Sequence, residues 1–199
     1  MTAVAPRRGR PGNSLEQLLD AAVAVFNERG YDATSMEELA ARLGVTKSAI
    51  YHHVPSKVEL LRLALDRALD ALFAVTEEPQ AVCGRAIDRL EHVVRGSVRV
   101  LAAELPFVTL LLRVRGNSPV EEAALGRRRE FDRVVTDLVR CAEEEGDVRP
   151  DVDPAVTSRL LFGTVNSLTE WYRPGGSLSA DALADALVAT TFEGLRARS

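Results

Sequence analysis

Three times in its first sixty residues the chain repeats one helix-starting phrase: Ser14-Leu15-Glu16-Gln17, Ser35-Met36-Glu37-Glu38 and Ser56-Lys57-Val58-Glu59. In each, the serine and the Glu or Gln three residues on can satisfy each other's backbone N–H groups, which a helix start otherwise leaves unpaired. Starts this close together admit only short helices joined by tight turns. The first helix carries Leu15, Leu18, Leu19, Ala22, Val25 and Phe26 as an apolar stripe, and Gly30 is placed to end it. The second is predicted to turn Leu39, Ala40 and Leu43 inward and to stop at Gly44. Thr46 caps a third with Ala49, Ile50 and Val54 inward, and Pro55 closes it before a longer helix opens.

The same reading continues to the end of the chain. Helices are predicted over 56–76, 81–103, 106–114, 119–145, 154–172 and 180–197, with Pro119 and Pro154 in first turns after Ser118 and Asp153. No strand pattern, repeat or phosphate-binding glycine loop interrupts them, so the fold class is all-α. At 199 residues and 46% hydrophobic the chain can bury a substantial core, and it holds only 5% aromatics. It lacks an apolar leader and any stretch near the ~20 residues of a membrane span, so a cytoplasmic protein is expected. Cys83 and Cys141 are far apart and have no ligand-spaced histidine. They are expected to be buried thiols, with neither disulfide nor metal site.

The net charge of −4 argues against a generally basic, nucleic-acid-coating protein, yet the charge is uneven: +1 through Lys57 and −5 thereafter. The chain has 25 basic side chains and only two lysines, Lys47 and Lys57, which both fall within "GVTKSAIYHHVPSK". Leu43-Gly44-Val45-Thr46, set between two short helices, has helix-turn-helix spacing, with Val45 placed to plug the gap. A plain αα-hairpin shares that spacing. The outward face of the third helix favours DNA: Lys47, Ser48, Tyr51 and His52 lie together, and no acidic residue occurs from Gly44 to Ser56. An ammonium on a flexible stem, a small residue and aromatic rings suit phosphates and base edges in a groove.

Across "RRGRPGNSLEQLLDAAVAVFNERGYDATSMEELAARLGVTKSAIYHHVPSKVELL" the sequence resembles the DNA-binding domain of TetR-family transcriptional regulators. Val54 departs from the pattern, standing where that family usually has phenylalanine. The resemblance implies a three-helix helix-turn-helix domain over 1–57, and a larger helical effector-binding and dimerisation domain over 58–199. It places Thr46, Lys47, Ser48, Tyr51 and His52 on a major-groove helix, and Thr34, Ser35 and Lys57 at phosphates. Arg7, Arg8 and Arg10 form an arm, which either reaches an adjacent minor groove or is an untethered tail. The implied partners are a double-stranded operator and a second copy of the chain. No cofactor is implied.

The C-terminal phrase "FGTVNSLTEWYRPGGSLSADAL" is similar to a segment of TetR-family regulators that respond to acyl-CoA thioesters of lipid or aromatic-acid catabolism. A hydrophobic non-CoA compound, such as a drug or antibiotic, is the alternative effector. On this resemblance Phe107, Arg113, Asn166, Glu170 and Trp171 are the expected ligand contacts, although Trp171 and Tyr172 fit simple packing as well. Arg115 and the run Arg127-Arg128-Arg129 fit either an anionic ligand or solvated helix faces. Leu160, Leu161, Thr164, Leu168, Leu183, Leu187 and Leu195 fit either a dimer seam or an internal core. No catalytic triad or carboxylate pair stands out, and His92 is isolated on its helix, so an enzyme is not expected.

Overall fold

The computed structural model describes residues 14–194, which are helical throughout apart from turns and connections. They form two compact units that divide after Leu61, where the sequence reading sets the boundary after Lys57.

The first unit holds α1 (Leu15–Arg29), α2 (Met36–Leu43), α3 (Lys47–His53) and the start of α4 (Lys57–Glu77). The repeated serine phrase is what starts them. Ser14 Oγ accepts from Gln17 N at 3.2 Å while Gln17 Oε1 accepts from Ser14 N at 3.1 Å, and Ser35 and Glu38 repeat the exchange at 3.2 and 2.9 Å. Ser56 Oγ accepts from Glu59 N at 3.1 Å. Gly44 takes the left-handed conformation (φ 65°), and its N–H and that of Val45 close onto Ala41 O and Ala40 O. A side chain at that φ would be strained, so this turn requires glycine. Leu18, Phe26, Leu39 and Ile50 are fully buried, as is Val54. Ala49, expected inward, is exposed, and Val45 is only half-buried along a groove beside α3.

The second unit holds the rest of α4, then α5 (Pro79–Val82), α6 (Ala86–Ala103), α7 (Leu105–Arg113), α8 (Pro119–Glu144), α9 (Pro154–Trp171) and α10 (Ala180–Val188). A π-helical turn, Ala189–Glu193, follows α10 where a continuous helix was expected. The expected helix over 81–103 is likewise split: Gly84 takes a φ of 100°, and the N–H of Ala86 donates to Glu145 Oε2 at 2.8 Å where α6 starts afresh. That partner lies far along the chain and leaves no local signal. Helix α6 is central and packs against α7, α8, α9 and α10. Arginines tie the helices together: Arg95 and Arg99 of α6 hold Asp185 and Asp181 of α10, and Arg67 grips Glu104 in bidentate fashion at 2.7 and 3.1 Å. His92 Nε2 lies 2.7 Å from Glu78 Oε2. Cys83 is exposed and Cys141 half-buried, which corrects the expectation of two buried thiols. No described helix is long and apolar enough to cross a membrane.

Gly96, in the middle of α6, marks the tightest approach in this unit. A Cβ there would lie 2.3 Å from Val75 Cγ1 of α4. Alanine gains about 1 kcal/mol in helix propensity over glycine, but forcing a methyl into a packed contact costs about 1–3 kcal/mol. Gly96→Ala is therefore expected to lower stability in urea unfolding, and pairing it with Val75→Ala should cost less than the two changes summed. Additive effects would show that the contact yields without strain.

Candidate nucleic-acid interface and ligand cavity

Helix α3 is short and turns almost everything outward. Thr46 caps it, its hydroxyl accepting from Ala49 N at 3.2 Å, and Ile50 is its only buried residue. Lys47, Ser48, Tyr51 and His52 are all exposed, Tyr51 by 44% of its surface. Lys47 Nζ lies 5.8 Å from the centroid of the Tyr51 ring and is hydrogen-bonded to Glu37 of α2. That bond holds Glu37 below the usual carboxylate range and raises Lys47. Both partners are solvent-facing, so the pair is weak and exchangeable, and it parks the ammonium beside the ring rather than burying it. The face thus offers a cation, a hydroxyl, a phenol and an imidazole with no bulky neighbour to block a groove.

The other expected phosphate contacts are placed differently. Lys57 Nζ donates to Tyr31 O at 2.9 Å and Thr34 O at 2.8 Å, and stands 4.3 Å from the centroid of the Tyr31 ring. Thr34 is 2% exposed and its hydroxyl donates to Gly30 O at 2.8 Å, so it closes the turn from within instead of facing a phosphate. Ser35 is half-buried and committed to capping α2. Arg7, Arg8 and Arg10 lie outside the described residues, as does Leu195.

The second unit contains a cavity of about 60 Å³. Leu72 of α4, Val108 and Leu111 of α7, Phe131 of α8, and Phe162 and Val165 of α9 supply apolar wall. The Phe131 ring meets Phe73 and Phe162 edge-on, at 5.8 and 5.0 Å between centroids. Four polar residues interrupt that wall: Ser97, Asn166, Arg128 and Asp132. Burial holds the Arg128 guanidinium below its ordinary range, with Arg115 adding to the effect and Asp132 opposing it. Burial likewise pushes the Asp132 carboxyl up, against the pull of Arg128 and Arg159. Among the described residues Arg128 makes one hydrogen bond, to Leu111 O at 3.5 Å.

Of the five expected ligand contacts, only Asn166 lines this cavity. Phe107 is buried elsewhere, beneath the Arg67 guanidinium at 4.2 Å. Arg113, Glu170 and Trp171 are exposed away from it. Asp132 was missed, and Arg128 was weighed only within the run Arg127-Arg128-Arg129, as either an anion contact or a solvated face; their i, i+4 spacing was the available signal. The leucines of the expected seam also separate. Leu161, Leu168, Leu183 and Leu187 are core, whereas Leu160 is 68% exposed and Thr164 lies beside it on the open face of α9.

Residues 18–64 match the family model for bacterial regulatory proteins of the tetR family, and residues 83–195 match the tetracyclin repressor-like C-terminal domain. A solved member of the TetR transcriptional regulator family from Streptomyces coelicolor A3 is 54% identical, with a TM-score of 0.87 over 93% of this chain and 94% of that one. The ketosteroid transcriptional regulator KstR2 of Mycobacterium tuberculosis is 27% identical, with a TM-score of 0.83 over 94% of this chain and 98% of that one. The curated HTH-type transcriptional repressor KstR2 of Rhodococcus jostii is 28% identical, over 94% of this chain and 93% of its own length.

The two lysines should behave oppositely on mutation. Lys47→Ala and Tyr51→Ala are expected to weaken binding to a duplex selected from a random library, by on the order of 1–3 kcal/mol each, with unchanged thermal midpoints. Lys57→Ala removes two charge-assisted hydrogen bonds and should destabilise the first unit by about 1–3 kcal/mol. Paired gel-shift and thermal-unfolding measurements separate the roles, and a Lys57→Ala protein of normal stability would contradict the structural one.

Proposed function

The chain belongs to the TetR family of bacterial transcriptional regulators, and from that premise we propose a homodimeric repressor released from its operator by an acyl thioester. Each protomer presents one α3 to a major groove, and a twofold-related pair reads an inverted repeat. The observation that carries the effector assignment is the second-unit cavity, in which apolar and aromatic walls meet one under-bonded guanidinium, an amide and a hydroxyl. An acyl chain matches the walls, a thioester carbonyl matches Arg128 and Asn166, and Ser97, whose hydroxyl donates to Val93 O at 2.7 Å, keeps lone pairs for an amide N–H. The likeness to a ketosteroid regulator supports a lipid-derived acyl group.

Release requires two states that the ligand tells apart. The cavity, at about 60 Å³, has room for a few water-sized groups, so a longer acyl group must push its walls outward. Ala68 and Leu72 of α4 are among those walls. The same helix begins at Lys57, which grips the turn before α2. A displaced α4 therefore strains the anchorage of the DNA-reading helices. Moving a population from one state almost wholly to the other takes about 5 kcal/mol of differential binding.

Dimerisation is assigned to the open face of α9. Val156, Leu160 and Trp171 lie along it and are 51%, 68% and 54% exposed, with Gly163, Thr164 and Ser167 between them. Apolar side chains aligned along one helix in this way mark a contact surface. Leu160→Glu is expected to yield a folded monomer in analytical ultracentrifugation and to lose operator binding. A dimer of undiminished DNA affinity would move the interface elsewhere.

The effector is tested by titrating the protein–DNA complex with straight-chain, aromatic and sterol-derived CoA thioesters. At least one should dissociate the complex at micromolar concentration, while free CoA does so poorly. Val165→Trp, which fills the cavity, should abolish the response and leave DNA affinity intact. Release by a drug-like compound alone, with every thioester inert, would overturn the thioester assignment.

A further inference from the structure

Beside the cavity, on the other flank of Asp132, α8 and α9 enclose an open cleft of about 690 Å³. We propose that this cleft is the second half of the ligand site, a receptor for the phosphates of a phosphorylated pantetheine carrier such as CoA. The proposal rests on the acyl-thioester reading above and gives that ligand's polar end a place.

The cleft is built around arginine. Arg129, Arg133 and Arg140 recur along one face of α8, and Arg159 faces them from α9. Against these four guanidinium groups the cleft holds two carboxylates, Asp132 and Asp137, on a chain whose net charge is −4. Arg140 is paired with Asp137 at 2.6 Å, and Arg133 stands 3.9 Å from Glu130. Elsewhere in this unit arginines are drawn into helix-to-helix ties, as Arg67, Arg95, Arg99 and Arg127 are. Arg129 and Arg159 differ: among the described residues neither has a carboxylate within 4.0 Å. Asp132 pulls on Arg159 from farther off; two guanidinium groups with no directly paired acid, lining one open cleft, suit bidentate binding of phosphate oxygens.

The connection to the cavity is the second, independent observation. Asp132 lines both spaces, so the two adjoin at this residue, and the proposed ligand crosses beside it from the cleft to the apolar walls. A pantetheine arm carries amide N–H donors, and a carboxylate at the crossing accepts them. Charge thus falls where the arginines are, amides where Asp132 and Asn166 are, and the acyl end among Phe131, Phe162 and Val165.

The test compares hexanoyl-CoA, S-hexanoylpantetheine, free CoA and pantetheine by isothermal titration calorimetry on the full chain. Hexanoyl-CoA is expected to bind about ten-fold or more tightly than S-hexanoylpantetheine, and its affinity should fall more steeply with added salt. The double change Arg129→Ala and Arg159→Ala should erase the difference while leaving S-hexanoylpantetheine affinity in place; Arg129→Lys with Arg159→Lys should retain most of it. Should the alanine variant fail to fold, by circular dichroism, the lysine variant and the salt dependence carry the comparison. Equal affinity of the two thioesters for the unmodified chain, or a difference that survives the alanine variant, overturns the cleft and leaves the thioester reading standing. If neither thioester binds, the thioester reading fails; the cleft then stands only if free CoA outbinds pantetheine in an arginine-dependent way, and otherwise falls too.

Discussion

The contact on which the DNA-reading unit depends is the Lys57 ammonium, held by two backbone carbonyls and the face of one ring. Tyr31 O and Thr34 O belong to the turn between α1 and α2, and Lys57 is the first residue of α4. A single side chain therefore ties the start of α4 to the turn that joins α1 and α2. Carbonyls at a turn cannot be satisfied by their own helix, and a charged donor bonds them more strongly than a neutral one. Thr34 completes the arrangement from inside, sending its hydroxyl back to Gly30 O. With that turn pinned, α2 and α3 are held by Ser35, Gly44 and Thr46 in succession, and α3 needs only Ile50 as an anchor. Its remaining side chains are thereby left facing outward.

The choice of cation is consistent across the chain. Where two helices are joined over a distance, the tie is an arginine: Arg67 to Glu104, Arg99 to Asp181, Arg127 to both Asp66 and Asp70. A planar fork can hold two oxygens at once, and it stacks on rings as Arg67 does on Phe107 and Arg127 on Phe73. Where a carbonyl cluster or a groove must be met by a compact charge, the residue is lysine. Both lysines are found in the first unit, and they divide the work, Lys57 inside and Lys47 outside.

Much of this was legible in the sequence because it is local. Caps act over three residues and helical stripes over a few turns, so the Ser-x-x-Glu phrases, Gly44 and the prolines at 119 and 154 mark helix boundaries to within a residue or two. The outward set Lys47, Ser48, Tyr51 and His52 follows from the same periodicity. What was hidden depends on partners distant in the chain. The break before α6 needs Glu145, and the inward roles of Lys57 and Thr34 need the turn to be folded. Glu121, whose place near a helix start suggests a dipole or cap role, instead accepts from the N–H groups of Arg115, Gly116 and Asn117 at 2.9, 3.0 and 3.1 Å. These bonds offset the cost of its burial and hold it below the usual carboxylate range. The ligand cavity was the least legible part, since it is made from five helices and no one of them carries a signature.

On the proposed reading, the cavity would also let the unit respond to a ligand without being unstable at rest. Apolar walls that nearly close leave little void, so the unliganded unit loses few packing contacts. The exception is Arg128, a cation held among apolar groups whose attraction to Asp132 only partly offsets its loss of water. A desolvated charge with open donors is a source of free energy for the ligand that satisfies it, and none for one that does not. On the same reading, Arg128 would favour an oxygen-bearing effector over plain hydrocarbon. Because the walls belong to α4, α6, α7, α8 and α9 together, a group that satisfied Arg128 while filling the apolar end would, on the proposed reading, press on several helices at once. That is the condition for a small ligand to change the state of the whole unit.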